Sequence, residues 1–184
     1  EVTVTAENTG TVVSTYNATE GLLLVEKDHE TDEVLDSITI YTYDGTYDRV
    51  ISVSLDFNGD GEVDVLTTYT YNLDGLIISE LMDVGVDDQI DAEVKYVYNG
   101  SVLGSISYDD DYDGSVDRRV IIASLPTGER SAEDWDHDAD GNVDDRWEYQ
   151  YNSEYRLTLW TIDLGNDETI DQQTSYTWGS NPGP

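Results

Sequence analysis

The sequence contains no cysteine, which excludes a disulfide framework, a thiolate metal site and a cysteine nucleophile. Basic residues are scarce: eight Lys and Arg stand against 41 Asp and Glu, for a formal net charge of −33. A chain so acidic repels phosphate backbones and anionic membrane surfaces, so nucleic acid is excluded as a partner. No apolar run approaches the ~20 residues a membrane helix needs, and no membrane insertion is expected. No signal-peptide pattern is read in these residues, and with its opening at Glu1 rather than Met the sequence is expected to be a processed or excised piece. The length of 184 residues fits a single domain or one run of repeats.

What the sequence does contain argues against acidic disorder. Hydrophobic residues make up 38%, with fourteen Tyr and four Trp against only three Pro. Disordered acidic segments are poor in aromatic and β-branched residues. Here Val, Ile, Thr and Tyr abound, the composition of strands.

The acidic residues are periodic. Six nine-residue windows align: DHETDEVLD (28–36), DFNGDGEVD (56–64), DVGVDDQID (83–91), DDDYDGSVD (109–117), DHDADGNVD (136–144) and DLGNDETID (163–171). Their starts lie 28, 27, 26, 27 and 27 residues apart, and every window has Asp at positions 1, 5 and 9. A fixed period of this size means stacked supersecondary units that bury a core only together. After each window comes a β-type run, often ending in Tyr-x-Tyr: Tyr41/Tyr43, Tyr69/Tyr71, Tyr96/Tyr98, Tyr149/Tyr151 and the variant Tyr176/Trp178. A turn follows (DGTYD at 44–48, NLDG at 72–75, NGS at 99–101, PTG at 126–128, NSEY at 152–155), then a second run leading into the next window. No helical periodicity is found.

These features predict an all-β fold: a repetitive antiparallel β-hairpin meander of about 14 strands on a ~27-residue repeat, solenoid-like or curled, with the acidic loops along one edge. One repeat domain is expected over 1–184, with an extra N-terminal strand in 1–10, repeats over 11–178 and a tail at 179–184. In the third unit Val65, Thr67, Tyr69 and Tyr71 share a face; pairing Tyr71 with Leu76 adds Leu76, Ile78 and Met82 to it. Leu66, Thr68, Thr70, Ile77 and Ser79 take the other face.

Within such a loop, side chains at positions 1, 3, 5 and 9 can converge on one centre beside a carbonyl from position 7. Oxygen-only ligation with a high coordination number suits Ca²⁺ better than Zn²⁺ or Mg²⁺. The clearest predicted sites are Asp56/Asn58/Asp60/Asp64, Asp109/Asp111/Asp113/Asp117 and Asp136/Asp138/Asp140/Asp144, each with Gly at position 6 (Gly61, Gly114, Gly141). Three others depart: Asp28/Glu30/Asp32/Asp36 has Glu33 at position 6, while Asp83/Asp87/Asp91 and Asp163/Asp167/Asp171 have Gly85 and Gly165 at position 3. Weaker binding is expected there, with water in place of the missing side chain. Twenty-one of the 41 acidic residues are ligand candidates, and up to six Ca²⁺ would bring −33 to −21. Like charges about 4 Å apart repel by roughly 4 kcal/mol at an effective dielectric of 20, so metal binding and folding are expected to be coupled.

An EF-hand is excluded, because position 12 of the loops holds Thr39, Thr67, Val94, Val120, Trp147 and Thr174 instead of Glu, and strands flank them. The loops resemble the D-x-D-x-D-G-x-x-D calcium loops of integrin-type FG-GAP repeats, most closely in DFNGDGEVDVL. The hairpins, as in Tyr69 to Gly75, resemble the YD repeats of bacterial RHS and teneurin-type shells. Together these resemblances imply extracellular calcium-binding β repeats of bacterial style; they imply no activity.

No catalytic constellation emerges. His29 and His137 sit at position 2 of their loops, expected to face solvent, and no carboxylate pair has the apolar setting of a glycosidase acid. The Tyr and Trp residues alternate as a core or cross-strand ladder would, with a sugar-stacking platform as the other reading. Asn17 and Asn99 lie in glycosylation-type tripeptides. Residues 1–7 (EVTVTAE) form an extra strand and the last unit stops near Trp178, leaving an edge at each end. Head-to-tail self-association through those strands is therefore expected. The expected role is a non-catalytic structural protein of the cell surface or extracellular space, a filament subunit or adhesin stalk stiffened by Ca²⁺. The alternative is a calcium-dependent carbohydrate- or surface-binding module with a surface glycan as partner.

Overall fold

Alternation of β-branched and aromatic residues with polar ones produces extended chain at every repeat. The structure, a computed structural model, describes residues 2–5, 11–17, 22–28, 36–45 and 49–178. The strands are β1 (Val2–Thr5), β2 (Thr11–Asn17), β3 (Leu22–Asp28), β4 (Ser37–Tyr43), β5 (Val50–Asp56), β6 (Val65–Tyr71), β7 (Ile77–Val84), β8 (Ala92–Asn99), β9 (Val102–Asp109), β10 (Arg118–Ser124), β11 (Arg130–Asp136), β12 (Asp145–Tyr151), β13 (Leu157–Leu164) and β14 (Gln172–Ser175). Among the described residues there is no helix, and within each of the two units strand order follows chain order. The chain forms two compact units, Glu1–Val94 with Asp110–Tyr112, and Lys95–Asp109 with Asp113–Pro184.

In the first unit, Tyr41, Val53, Thr67 and Met82 align across β4 to β7 on one face, and Ile40, Ser54, Leu66 and Asp83 align on the other. The sheet is antiparallel, so alternate connections fall on the same edge, and the acidic loops share one edge of the unit. The predicted pairing of Tyr71 with Leu76 is corrected: Tyr71 pairs with Ile77, and the register shifts between Thr70 and Tyr71. This one-residue bulge recurs. The register shifts between Thr42 and Tyr43, between Ala123 and Ser124, and between Gln150 and Tyr151. Three of these shifts fall at the second tyrosine of a Tyr-x-Tyr motif and the fourth at Ser124, the same place in its repeat, where a bulge re-aims one side chain and sharpens the local twist. Glu80 stands opposite Tyr69 on the aromatic face, beside Met82.

In the second unit, Ile106, Val120, Trp135 and Asp145 line up across β9 to β12, followed by the row Ile122, Glu133, Trp147 and Ile162. Val120 is 2% exposed, and Ile122, Ala132 and Ile162 are also buried. The tryptophans form a cross-strand ladder, with ring centroids 5.8 Å apart for Trp135–Trp147 and 5.7 Å apart, edge-on, for Trp147–Trp160. The buried core of this unit is Val120, Ile122, Ala132 and Ile162, and the half-buried tryptophan rings add apolar area by packing on one another.

Candidate metal centre

The loops between β5–β6, β7–β8, β9–β10, β11–β12 and β13–β14 follow one hydrogen-bond plan. The position-9 N–H returns to the carbonyl just before position 1, as from Asp64 to Leu55 (2.8 Å), Asp117 to Tyr108 (2.8 Å) and Asp144 to Trp135 (2.7 Å). That bond closes the loop. The carboxylate at position 1 accepts N–H groups from inside it: Asp136 Oδ1 from Asp140 (3.1 Å) and Oδ2 from Gly141 (3.0 Å). Asp109 takes the same two from Asp113 and Gly114, Asp83 from Asp87 and Asp88, and Asp163 from Asp167 and Glu168. Asp56 accepts from Asn58, Gly59 and Gly61. Position 5 accepts the N–H of position 7 in all five loops. Position 9 accepts that of position 2 at Asp64, Asp91, Asp144 and Asp171.

Asp at positions 1, 5 and 9 thus has a backbone-capping role in addition to any role as ligand. Burial matches: Asp56, Asp83, Asp109, Asp136 and Asp163, all at position 1, are 5–7% exposed. Buried charge of this kind requires hydrogen bonds, and the loop N–H groups supply them.

The closed plan needs left-handed backbone twice. Position 6 has φ of +90, +89 and +93° at Gly61, Gly114 and Gly141. Position 4 is left-handed as well, at Gly59, Val86, Tyr112, Ala139 and Asn166. The β-branched Val86, at φ 49°, is a strained residue of the kind that persists only where surrounding structure over-determines it.

Two sets of carboxylates among the described residues converge with oxygens within 4.8 Å of one another: Asp109, Asp111 and Asp117, and Asp136, Asp138 and Asp144. These are positions 1, 3 and 9. Position 5 is not in either set; Asp140 is turned to Asn142, whose backbone N–H and side-chain amide it accepts. In the loop at 56–64, Asn58 stands at position 3 and accepts the Asp60 N–H at 2.9 Å, so no third carboxylate joins Asp56 and Asp64. In the loops at 83–91 and 163–171 position 3 is glycine. Glu30 and Asp32, with His29 and Glu33, lie outside the described residues; Asp28 ends β3 and Asp36 precedes β4.

The converging sets are fit to hold a hard cation. Each carboxylate oxygen keeps a lone pair after accepting one N–H, and the donors are all oxygen. At 4.8 Å and an effective dielectric of 20, each carboxylate pair repels by about 3.5 kcal/mol, which a divalent ion would reverse.

The glycines at position 3 have their own function. Gly85 donates its N–H to the Asp64 carbonyl at 2.6 Å, and Gly165 donates to Asp145 Oδ1 at 2.9 Å. Each ties its loop to the preceding loop. Asp145 also bonds His137 through Nε2 at 2.8 Å, and the His137 ring stacks on Trp135 at 5.9 Å, so His137, expected in solvent, is half-covered and held. Sequence reasoning missed Asp145, which lies one residue beyond its window and meets Gly165 only after 20 residues of chain.

The carboxylate energetics follow these bonds. At Asp56 desolvation pushes the pKa up, but the N–H donors of Gly61, Gly59, Asn58 and Asp60 outweigh it and hold the group below the usual range. The Asn142 backbone and side chain lower Asp140, and His137 followed by the Gly165 N–H lowers Asp145. On the aromatic face the Tyr149 phenol is pushed up to about 12, by desolvation first and then by Glu133, whose carboxylate it contacts at 3.3 Å and which Arg130 also pairs.

No family model and no curated protein matches the sequence. Solved structures do. A porin-like protein from Bacteroides uniformis ATCC 8492 aligns with 90% of this chain and 74% of its own, at 10% identity and a TM-score of 0.53. A TcdB2–TccC3–TEV structure aligns with 92% of this chain and 12% of its own, at 15% identity and a TM-score of 0.40. The Photorhabdus luminescens Tc holotoxin pore aligns with 93% and 14%, at 13% identity and a TM-score of 0.26. The likeness to the porin-like protein is one of fold: this chain shares an all-β architecture with it, and the chemistry has to be read from the acidic loops.

Proposed function

We propose that the protein is a non-catalytic calcium-binding structural repeat of the cell surface or extracellular space, serving as a filament subunit or adhesin stalk. The observation that carries this reading is the convergence of carboxylates at positions 1, 3 and 9 in two of the recurring acidic loops, 109–117 and 136–144. A cation shared by Asp136, Asp138 and Asp144 would clamp the end of β11 to the start of β12, and loop-to-loop bonds such as Gly165 to Asp145 would pass that rigidity on. The oxygen-only donors favour Ca²⁺, and millimolar extracellular calcium would fill even modest sites. The tryptophan ladder supports a structural role over a glycan platform, since its rings pack on one another.

β14 is exposed along all four residues and pairs with β13. We infer that residues 1–7 of a second copy pair beside it and continue the sheet, a heterologous contact that grows into a fibre. Calorimetric titration with Ca²⁺ and Mg²⁺ tests the metal: saturable Ca²⁺ binding with a calcium-dependent melting temperature is expected. Absence of both would refute the calcium reading. Deleting residues 1–7 should abolish fibres in electron micrographs, and unchanged fibres would end the strand-donation idea.

A further inference from the structure

In two repeats the second aromatic of the Tyr-x-Tyr motif takes the same seat. Tyr71 donates its hydroxyl to the Val50 carbonyl, 21 residues earlier, at 2.6 Å, and the Arg49 guanidinium lies over its ring at 5.5 Å. Trp178, in the same place in the last repeat, donates its indole N–H to the Leu157 carbonyl, again 21 residues earlier, at 2.7 Å, with Arg156 over its ring at 5.7 Å. Two different aromatics, in two units, use one seat: a strand-start carbonyl accepting a ring-borne donor.

The repeat containing β10 has no aromatic at this place. Ile122 and Ser124 occupy the two aromatic sites, and Leu103 and Val102 occupy the places of Val50 and Arg49. The bulge that aims the second side chain is kept, between Ala123 and Ser124, but the ring is gone. The turn has changed with it. Asn72 and Asn152 cap their turns by accepting two N–H groups each, whereas this repeat has Leu125 followed by Pro126. The turn still closes, through Leu125 N–H to Glu129 at 2.8 Å and Gly128 N–H to Leu125 at 2.9 Å. The departures therefore converge on one place, a notch of about 380 Å³ walled by Val102, Leu103, Ile122, Leu125 and Pro126, with Ser124 beside them. That volume lies within the ~300–1,000 Å³ usual for small-molecule pockets.

We propose that this notch binds a free small molecule built on one aromatic ring with a hydrogen-bond donor, a phenol or an indole. The ring takes the seat that Tyr71 and Trp178 fill elsewhere, with its O–H or N–H on the Leu103 carbonyl. The chain itself supplies the template for the ligand: the same bulged backbone, with a ring and donor present in two repeats and absent in this one. Apolar contact with Leu125 and Pro126, both at the surface, replaces the polar turn cap, and Asn99 lies on the notch's polar side.

The test uses the full chain titrated with p-cresol by calorimetry, with amide chemical shifts to locate the site. One p-cresol should bind per chain, with shifts confined to 97–106 and 120–130. 4-Methylanisole, which lacks the donor, should bind about fivefold more weakly, as expected for one lost hydrogen bond. Ser124→Tyr fills the seat from within and should abolish binding. Val102→Arg supplies the cation found over the ring of Tyr71 and of Trp178 and should tighten binding about two- to fivefold. Absence of saturable binding, equal affinity for 4-methylanisole, or undiminished binding to folded Ser124→Tyr would each overturn the proposal. Should Ser124→Tyr fail to fold, Val102→Arg decides, and unchanged or weaker affinity there overturns it.

Discussion

Replacing Asp138 with Asn should stabilise the protein without calcium and destabilise it with calcium. Asp138 is exposed and converges with Asp136 and Asp144 within 4.8 Å. Its one visible structural bond, accepting the Asp140 N–H at 3.2 Å, survives in an asparagine, as Asn58 demonstrates by accepting the Asp60 N–H at 2.9 Å. The substitution therefore changes charge and little else. Two repulsive pairs disappear, each worth about 3.5 kcal/mol at a dielectric of 20. Exposure and salt reduce this to the scale measured for surface pairs, about 0.2–1 kcal/mol each, for a gain of roughly 0.5–2 kcal/mol. For a chain of this length 1 kcal/mol corresponds to about 2–4 °C, so the melting temperature in EGTA and 10 mM salt should rise by roughly 1–8 °C. The rise should shrink in 150 mM salt. In saturating calcium the same variant loses a charged ligand and should melt below the parent. Asp140→Asn is the control: its carboxylate is turned to Asn142, and it should show no inversion of sign. Circular dichroism melts under the four conditions suffice. A shift of the same sign and size for Asp138→Asn with EGTA and with calcium would refute the reasoning.

Three further predictions rest on the backbone and on titration. Gly141→Ala adds a Cβ that meets nothing within 4 Å, so its cost is that of φ +93° alone, about 1–2 kcal/mol, visible as a lowered melting temperature; Val86→Gly at φ 49° should shift it the opposite way. In EGTA, stability should fall in acid: Asp56, Asp140 and Asp145 have folded pKa values below 3.8, so their contribution is present above pH 3.8 and is lost as pH falls through those lower values. Asp145→Asn should flatten that limb in denaturant titrations against pH. The Tyr149 phenol should titrate near pH 12 by absorbance at alkaline pH, and because its folded pKa is raised from 10, its contribution to stability is complete below pH 10 and lost towards 12; Tyr149→Phe should remove that late step.

Much of this architecture was legible in the sequence because its signals are local and repeated. A period-2 alternation in Val65–Tyr71 can be satisfied only by a strand with two unlike faces, and Asp at positions 1, 5 and 9 marks a loop of one geometry in the five windows the structure describes. Glycine at position 6 announced the left-handed turn found at Gly61, Gly114 and Gly141. Local pattern could not reveal what those aspartates bond. An Asp that caps backbone N–H groups and an Asp that ligates a cation have the same sequence, and the turn of Asp140 towards Asn142, away from Asp136, is a matter of rotamer.

The sequence by itself therefore determined an all-β meander, its repeat, and the loops where negative charge gathers, since strand faces and turn chemistry depend on neighbours two to nine residues apart. Only the tertiary structure decided the register and the ties between repeats. The bulge that pairs Tyr71 with Ile77 slides a whole strand by one residue without changing any local pattern. The bonds from Gly165 to Asp145 and from Tyr71 to Val50 join groups 20 and 21 residues apart, brought together by sheet geometry rather than by any preference of their own. The seat left without a ring beside Ser124 belongs to the same class: an absent side chain leaves a site only once the sheet has placed Leu103 and Leu125 around it.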